Sequence, residues 1–154
     1  MRIPWVAAAI VAADQLSKYW AVARLKPVGT IPVIPGFFNL SYVENPGAAW
    51  GMLAGRQVFL IAFSLATLCF LFWKRRDLFG PLWCGAFTLS LIAGGVIGNL
   101  VDRVRINHVI DFLDFHWGPS HFPAFNIADS CICVGVFLFI VTQWHHDKKK
   151  EVTG

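Results

Sequence analysis

Carboxylates and carboxamides recur at regular spacing inside otherwise apolar stretches of this chain. Asp14 and Lys18 stand four apart in an apolar run, and Asn99, Asp102 and Arg103 close the stretch GGVIGNLVDR at 94–103. Asp111 and Asp114 lie in HVIDFLDFHW at 108–117, and Asn126 and Asp129 are three apart in FPAFNIADS at 122–130. Two carboxyl groups brought together away from water suit one kind of chemistry. Like charges at close range resist ionising together, so one carboxyl keeps its proton while the other acts as a general base on water. Its partner then polarises or protonates the carbonyl under attack. The aromatic setting of Asp111 and Asp114 raises a carboxyl pKa by desolvation. Asp129 opens an apolar segment, where capping alone accounts for an aspartate but not for an Asn and an Asp aligned on one helix face.

The other polar residues have plainer readings. Asp14 and Lys18 share a helix face and make a mutually neutralising pair. Gly95, Gly98, Asn99 and Asp102 recur at helical spacing, with the glycines permitting close helix contact and Asn99 free to bond across helices. Asp102 beside Arg103 reads as a local ion pair. His108, Asp111, Asp114, His116 and His121 offer a rival metal-dependent hydrolase set, although no H-E-x-x-H pattern is present. A second rival is non-enzymatic: a small transporter or assembly factor whose polar residues line an ion path.

These residues need elements to hold them, and the composition says which kind. The chain has 154 residues, of which 56% are hydrophobic and 14% charged, with a mean hydropathy of +0.59. Such a balance gives an integral membrane protein of one domain, 1–154. The net charge of +4 is carried partly in two clusters, Lys74-Arg75-Arg76 and Lys148-Lys149-Lys150. Short basic clusters beside apolar segments are cytoplasmic anchors, and without a recognition motif they give no nucleic-acid partner. Cys69, Cys84, Cys131 and Cys133 all sit in apolar stretches and read as packing residues.

Four segments are apolar enough to span a bilayer: roughly 3–24, 57–74, 82–100 and 125–144. The first resembles a signal peptide at its start, but its helical pattern runs on through Asp14 to Trp20, so an uncleaved span is expected. Arg2 and the two basic clusters fall on one side of this layout, which places both termini in the cytoplasm. The Pro- and Gly-rich segment 27–56 alternates as short strands and predicts a small sheet on the opposite membrane face. Residues 101–124 read as a polar and aromatic loop on that same face.

The motifs DQLSK at 14–18, NPGAAWG at 45–51, GNLVDR at 98–103, VIDF at 109–112 and FNIAD at 125–129 together resemble the lipoprotein signal peptidase (signal peptidase II) family, over essentially the whole chain. The resemblance implies a four-helix membrane bundle with a periplasmic β-cradle in the bacterial inner membrane. It implies an aspartyl endopeptidase that removes the signal peptide of diacylglyceryl-modified prolipoproteins, cutting before the lipidated Cys. Asp111 and Asp129 match the family's catalytic pair, Asp111 being preferred to Asp114 for the Val two positions before it. Asn45, Gly47, Asn99, Asp102, Arg103 and Asn126 match supporting, substrate-binding positions, and Asp14 and Lys18 a structural pair. The resemblance further implies no metal or cofactor, inhibition by globomycin, and membrane lipid and the prolipoprotein as partners of a monomer.

Overall fold

The computed structural model describes residues 3–79 and 83–153. Arg2 lies outside the described residues, and so do the side chains of Lys148, Lys149 and Lys150. Helix α1 spans Ile3–Arg24, α2 Gln57–Trp73, the short α3 Arg75–Phe79, α4 Trp83–Ile106 and α5 Ile127–Thr153. Strands β1 (Thr30–Ile34), β2 (Phe38–Asn45), β3 (Val109–Trp117) and β4 (Ser120–His121) form one antiparallel sheet in that order. The protein is therefore mostly helical with a small sheet.

The helices follow their apolar runs, and where they stop is informative. α4 continues past residue 100, where the apolar run ends, to Ile106. Its polar residues Asn99 and Asp102 are buried against other elements, so tertiary packing keeps them helical. Asn107, with φ +60°, then ends the helix in the left-handed conformation that asparagine tolerates. α5 begins at Ile127 because Phe125 is held in a bridge to Leu113 of β3.

The segment 101–124 is no loop. After the end of α4 it supplies β3, whose pairing with β2 sets Val43 opposite Asp111 and Asn45 opposite Val109. The sheet thus joins 30–45 to 109–121, while residues 46–56 form turns around a short 3-10 helix, Ala49–Gly51. Burial hides this strand from a reading of alternation: Val109, Ile110, Asp111 and Phe112 are all buried, so neither face reads as polar. A register shift between Leu40 and Val43 puts an irregularity in β2 just before the Asp111 pairing, the kind of local kink that re-aims side chains beside a site.

Two clusters form the core. Ala21 and Leu25, at the end of α1, pack on Ile110 and Phe112 of β3, which fastens the sheet to the bundle. Leu71 of α2 packs with Leu89 and Ile92 of α4. Outside, large apolar side chains face outwards, among them Trp5 and Tyr19 of α1, Phe59 and Phe63 of α2, and Phe137 and Ile140 of α5. Two described helices are long and apolar enough to cross a membrane, Cys84–Ile106 and Ile127–Trp144, while α2 is apolar over 17 residues.

Candidate active site

Two elements bring the principal carboxylates together. Alternation along β3 sends Ile110 and Phe112 towards α1 and Asp111 to the other side. Asp129 lies in the first turn of α5. The tie between these elements is made of backbone: the Phe112 and Leu113 amides donate to the Phe125 carbonyl, at 3.0 and 2.9 Å, and the Phe125 amide donates back to Leu113 at 3.1 Å.

Asn126, fully buried, links the two residues. Its Oδ1 accepts from the Asp129 amide at 2.9 Å, and the Asn126 amide donates to Asp129 Oδ2 at 3.3 Å. These reciprocal bonds form a capping box, with Asn and Asp in place of the usual Ser or Thr and Glu. With its oxygen so engaged, Asn126 turns Nδ2 to Asp111 Oδ1 at 2.7 Å. Asp111 Oδ2 accepts from Asn45 Nδ2 at 3.0 Å, and Asp129 Oδ1 accepts from Asn99 Nδ2 at 2.7 Å. Neutral carboxamides thus meet both carboxyl groups, and no cation forms an ion pair with either among the described residues.

That arrangement has an electrostatic consequence. Burial, then the nearby charge of Asp129, push the Asp111 carboxyl up from 3.8 to about 7, against the hydrogen bonds of Asn45 and Asn126 and the charge of Lys18. Near neutral pH Asp111 therefore can still hold a proton that an ordinary carboxyl group has lost.

Arg103 stands beside this pair. Its Nη2 donates to the Gly47 carbonyl at 3.1 Å and Nη1 to the Asn99 carbonyl at 3.4 Å, while its buried Nε meets no partner among the described residues. Gly47 is held in turn by its amide, which donates to Asn45 Oδ1 at 2.9 Å. A Cβ on Gly47 would collide with the backbone of Gly51 and Met52, so this tight turn admits only glycine.

Below the pair lies a sealed set of charges. Lys18 is 2% exposed and its ammonium meets Asp14 Oδ2 at 2.9 Å, Asp102 Oδ2 at 2.8 Å and Asn99 Oδ1 at 2.9 Å. Asp102 pairs with Lys18, and the local pair with Arg103 that adjacency suggests does not form. Each of these two residues points to a different partner, because successive helical residues do not share a face. Asp102 also accepts from the Ile110 amide at 3.3 Å and from Gln15 Nε2 at 3.0 Å. Asp14 accepts from the Ala128 amide at 2.9 Å. Gly98 makes that approach possible, since a Cβ there would lie 2.6 Å from Asp14 Oδ2. Gln15 has no role in the sequence reading, although it also bonds the Gly98 carbonyl at 3.1 Å and accepts from Arg105. Its place inside DQLSK is the signal that could have found it.

The remaining candidates disperse. Asp114 accepts from Ser41 Oγ at 2.8 Å and pairs with His121 Nδ1 at 2.7 Å, on the face opposite Asp111. His108 lies 3.9 Å from Glu44. Among the described residues no three His, Cys, Asp or Glu side chains converge to hold a metal ion, so the rival metal set is not assembled.

Apolar helices closed by a small sheet, with a carboxylate pair buried between them, make a fold similar to that of bacterial membrane enzymes. Two solved structures so described match it: one at 33% identity with a TM-score of 0.84, covering 96% of this chain and 90% of that one, the other at 34% and 0.78, covering 92% and 91%. The chain belongs to the signal peptidase (SPase) II family, whose model matches residues 6–145, and is accordingly a peptidase. It is 48% identical over 143 residues to the lipoprotein signal peptidase of Syntrophotalea carbinolica, covering 90% of this chain and 88% of that protein. It is 44% identical over 155 residues to that of Shewanella loihica, covering 97% and 89%.

Proposed function

We propose that this protein is an aspartyl endopeptidase of the inner membrane that removes the signal peptide from diacylglyceryl-modified prolipoproteins, cutting before the lipidated Cys. The observation that carries the reading is the union of Asp111 and Asp129 through Asn126, with neutral donors on both carboxyl groups. With a proton on Asp111, Asp129 is the carboxylate left to take a proton from water. The water oxygen bonds to the scissile carbonyl carbon as Asp111 passes its proton to the carbonyl oxygen. The tetrahedral intermediate then collapses as one of its hydroxyls returns a proton to Asp111, the C–N bond breaks, and the proton gained by Asp129 goes to the departing amine. Arg103 Nε, a donor beside the pair without a partner among the described residues, is available to hold a substrate carbonyl. Asn45 and Asn99 orient the carboxyl groups.

In this reading α1, α2, α4 and α5 all cross the bilayer. α2, at about 1.5 Å per residue, covers about 25 Å, near the lower limit for a span. α1 tolerates Asp14 and Lys18 because both are buried in the bundle and paired. The basic residues at 74–76 support a layout with both ends of the chain in the cytoplasm. The sheet and the carboxylate pair then lie at the periplasmic face, the depth at which an acyl-anchored substrate presents its cleavage site.

Asp111→Asn and Asp129→Asn decide the assignment. Each should abolish processing of a lipid-modified prolipoprotein in membranes while the protein still inserts. Normal processing by either variant removes that residue from the pair. Processing should also continue in the presence of a strong chelator.

A further inference from the structure

Lys18 has so far served as one half of a buried ion pair with Asp14, yet only one of its three bonds goes there. The ammonium has three donors and no acceptor, and the third points at Asn99 Oδ1, 2.9 Å away. Asn126 Nδ2 approaches the same oxygen at 3.1 Å. With its oxygen held by two donors, Asn99 has one orientation available, and its Nδ2 faces Asp129 Oδ1 at 2.7 Å. A flipped Asn99 would set an NH₂ group against the ammonium and a carbonyl oxygen against the carboxylate.

We propose that Lys18 is a positioning residue for peptide cleavage: it fixes the Asn99 amide that donates to Asp129. The proposal rests on the reading of these two aspartates as the reacting groups. The charges around Lys18 and the carboxyl pair are Asp14 on its own helix, Asp102 and Arg103 on α4, Asp111 on β3 and Asp129 on α5. Asp14 and Asp102 are both in contact with it, so the cluster is no simple neutral couple. Removing a cation from this setting makes carboxyl groups harder to ionise, whereas removing an anion makes it easier.

The sign of the effect separates positioning from simple structural support. For Lys18→Met in detergent, kcat should fall about a hundred-fold with KM little changed. The pH profile of kcat should move up by about one pH unit. Partial unfolding lowers the height of such a profile without moving it. Asp14→Asn keeps an acceptor for the Ala128 amide and removes a negative charge, so its profile should stay in place or move down. Should Lys18→Met not accumulate in folded form, Lys18→Gln, an uncharged donor, is read in the same way. A Lys18 variant profile that superimposes on the unsubstituted one overturns the proposal. So does an Asp14→Asn profile displaced upwards like that of Lys18→Met, or failure of both Lys18 variants to fold. Asp111→Asn, measured in parallel, is independent: normal cleavage by that variant would overturn the assignment of the pair itself.

Discussion

β3 carries two aspartates three residues apart, both nearly buried, at 2% and 7% exposure for Asp111 and Asp114, and they behave in opposite ways. At Asp111, burial and a neighbouring carboxylate outweigh the carboxamide donors, and the carboxyl rises to about 7. At Asp114, burial is outweighed by hydrogen bonds from His121, Ser41 and Asn39, and the carboxyl falls below its usual range. Burial alone does not make a reactive carboxyl group. The neighbours decide, and a strand with period-two alternation hands residues three apart to different neighbours.

The most severe way to break this comparison is to neutralise each aspartate. Asp111→Asn should cut cleavage at least a thousand-fold, as loss of an acid–base group does, with kcat/KM in the intact protein falling above pH about 7 as Asp111 deprotonates. Comparable loss in Asp114→Asn would erase the distinction. Stability sharpens the contrast next. Folded Asp111 keeps a proton that the unfolded chain releases from about 3.8 upwards, so stability should fall as pH rises from about 4 to about 7. At about 1.4 kcal/mol per unit this amounts to at most about 4 kcal/mol. Thermal midpoints of Asp111→Asn across that range should show the decline reduced. Asn126→Ala, which removes a donor from Asp111 and the cap of α5, should lower kcat about 100-fold, read in a prolipoprotein cleavage assay. Asp114→Asn should change cleavage less than about three-fold. Its stabilising bonds act with the opposite sign: present above pH about 4 and lost as pH falls further, as a thermal-midpoint titration would reveal.

Much of this was legible in the chain. The apolar runs marked the helices, and the i,i+3 spacing of Asn126 and Asp129 marked their shared face, which the structure explains as a capping box. β3 was hidden because its buried residues include Asp111 itself, so apolar and polar positions do not alternate. The partner of Asp102 was hidden for a different reason. Adjacency pointed to Arg103, and only helix packing brings Lys18 to it, 84 residues away in the chain. The twin Asp-Phe pairs at 111–112 and 114–115 could be ranked by motif but not by environment, since environment is created by Asn45, Asn126 and His121 arriving from elsewhere.

The bond from the Ala128 amide to Asp14 spans 114 residues. Seen along the time axis of synthesis, it means that the first helix waits for the last. Lys18, Asn45 and Asp111 are all synthesised before α5, and in the proposed reading none of them activates water alone. If Asp111 and Asp129 are the reacting pair proposed above, the site is completed only when Asn126, Ala128 and Asp129 dock against β3 and α1. A chain lacking α5 would then keep one carboxyl group of the proposed pair and lack the other.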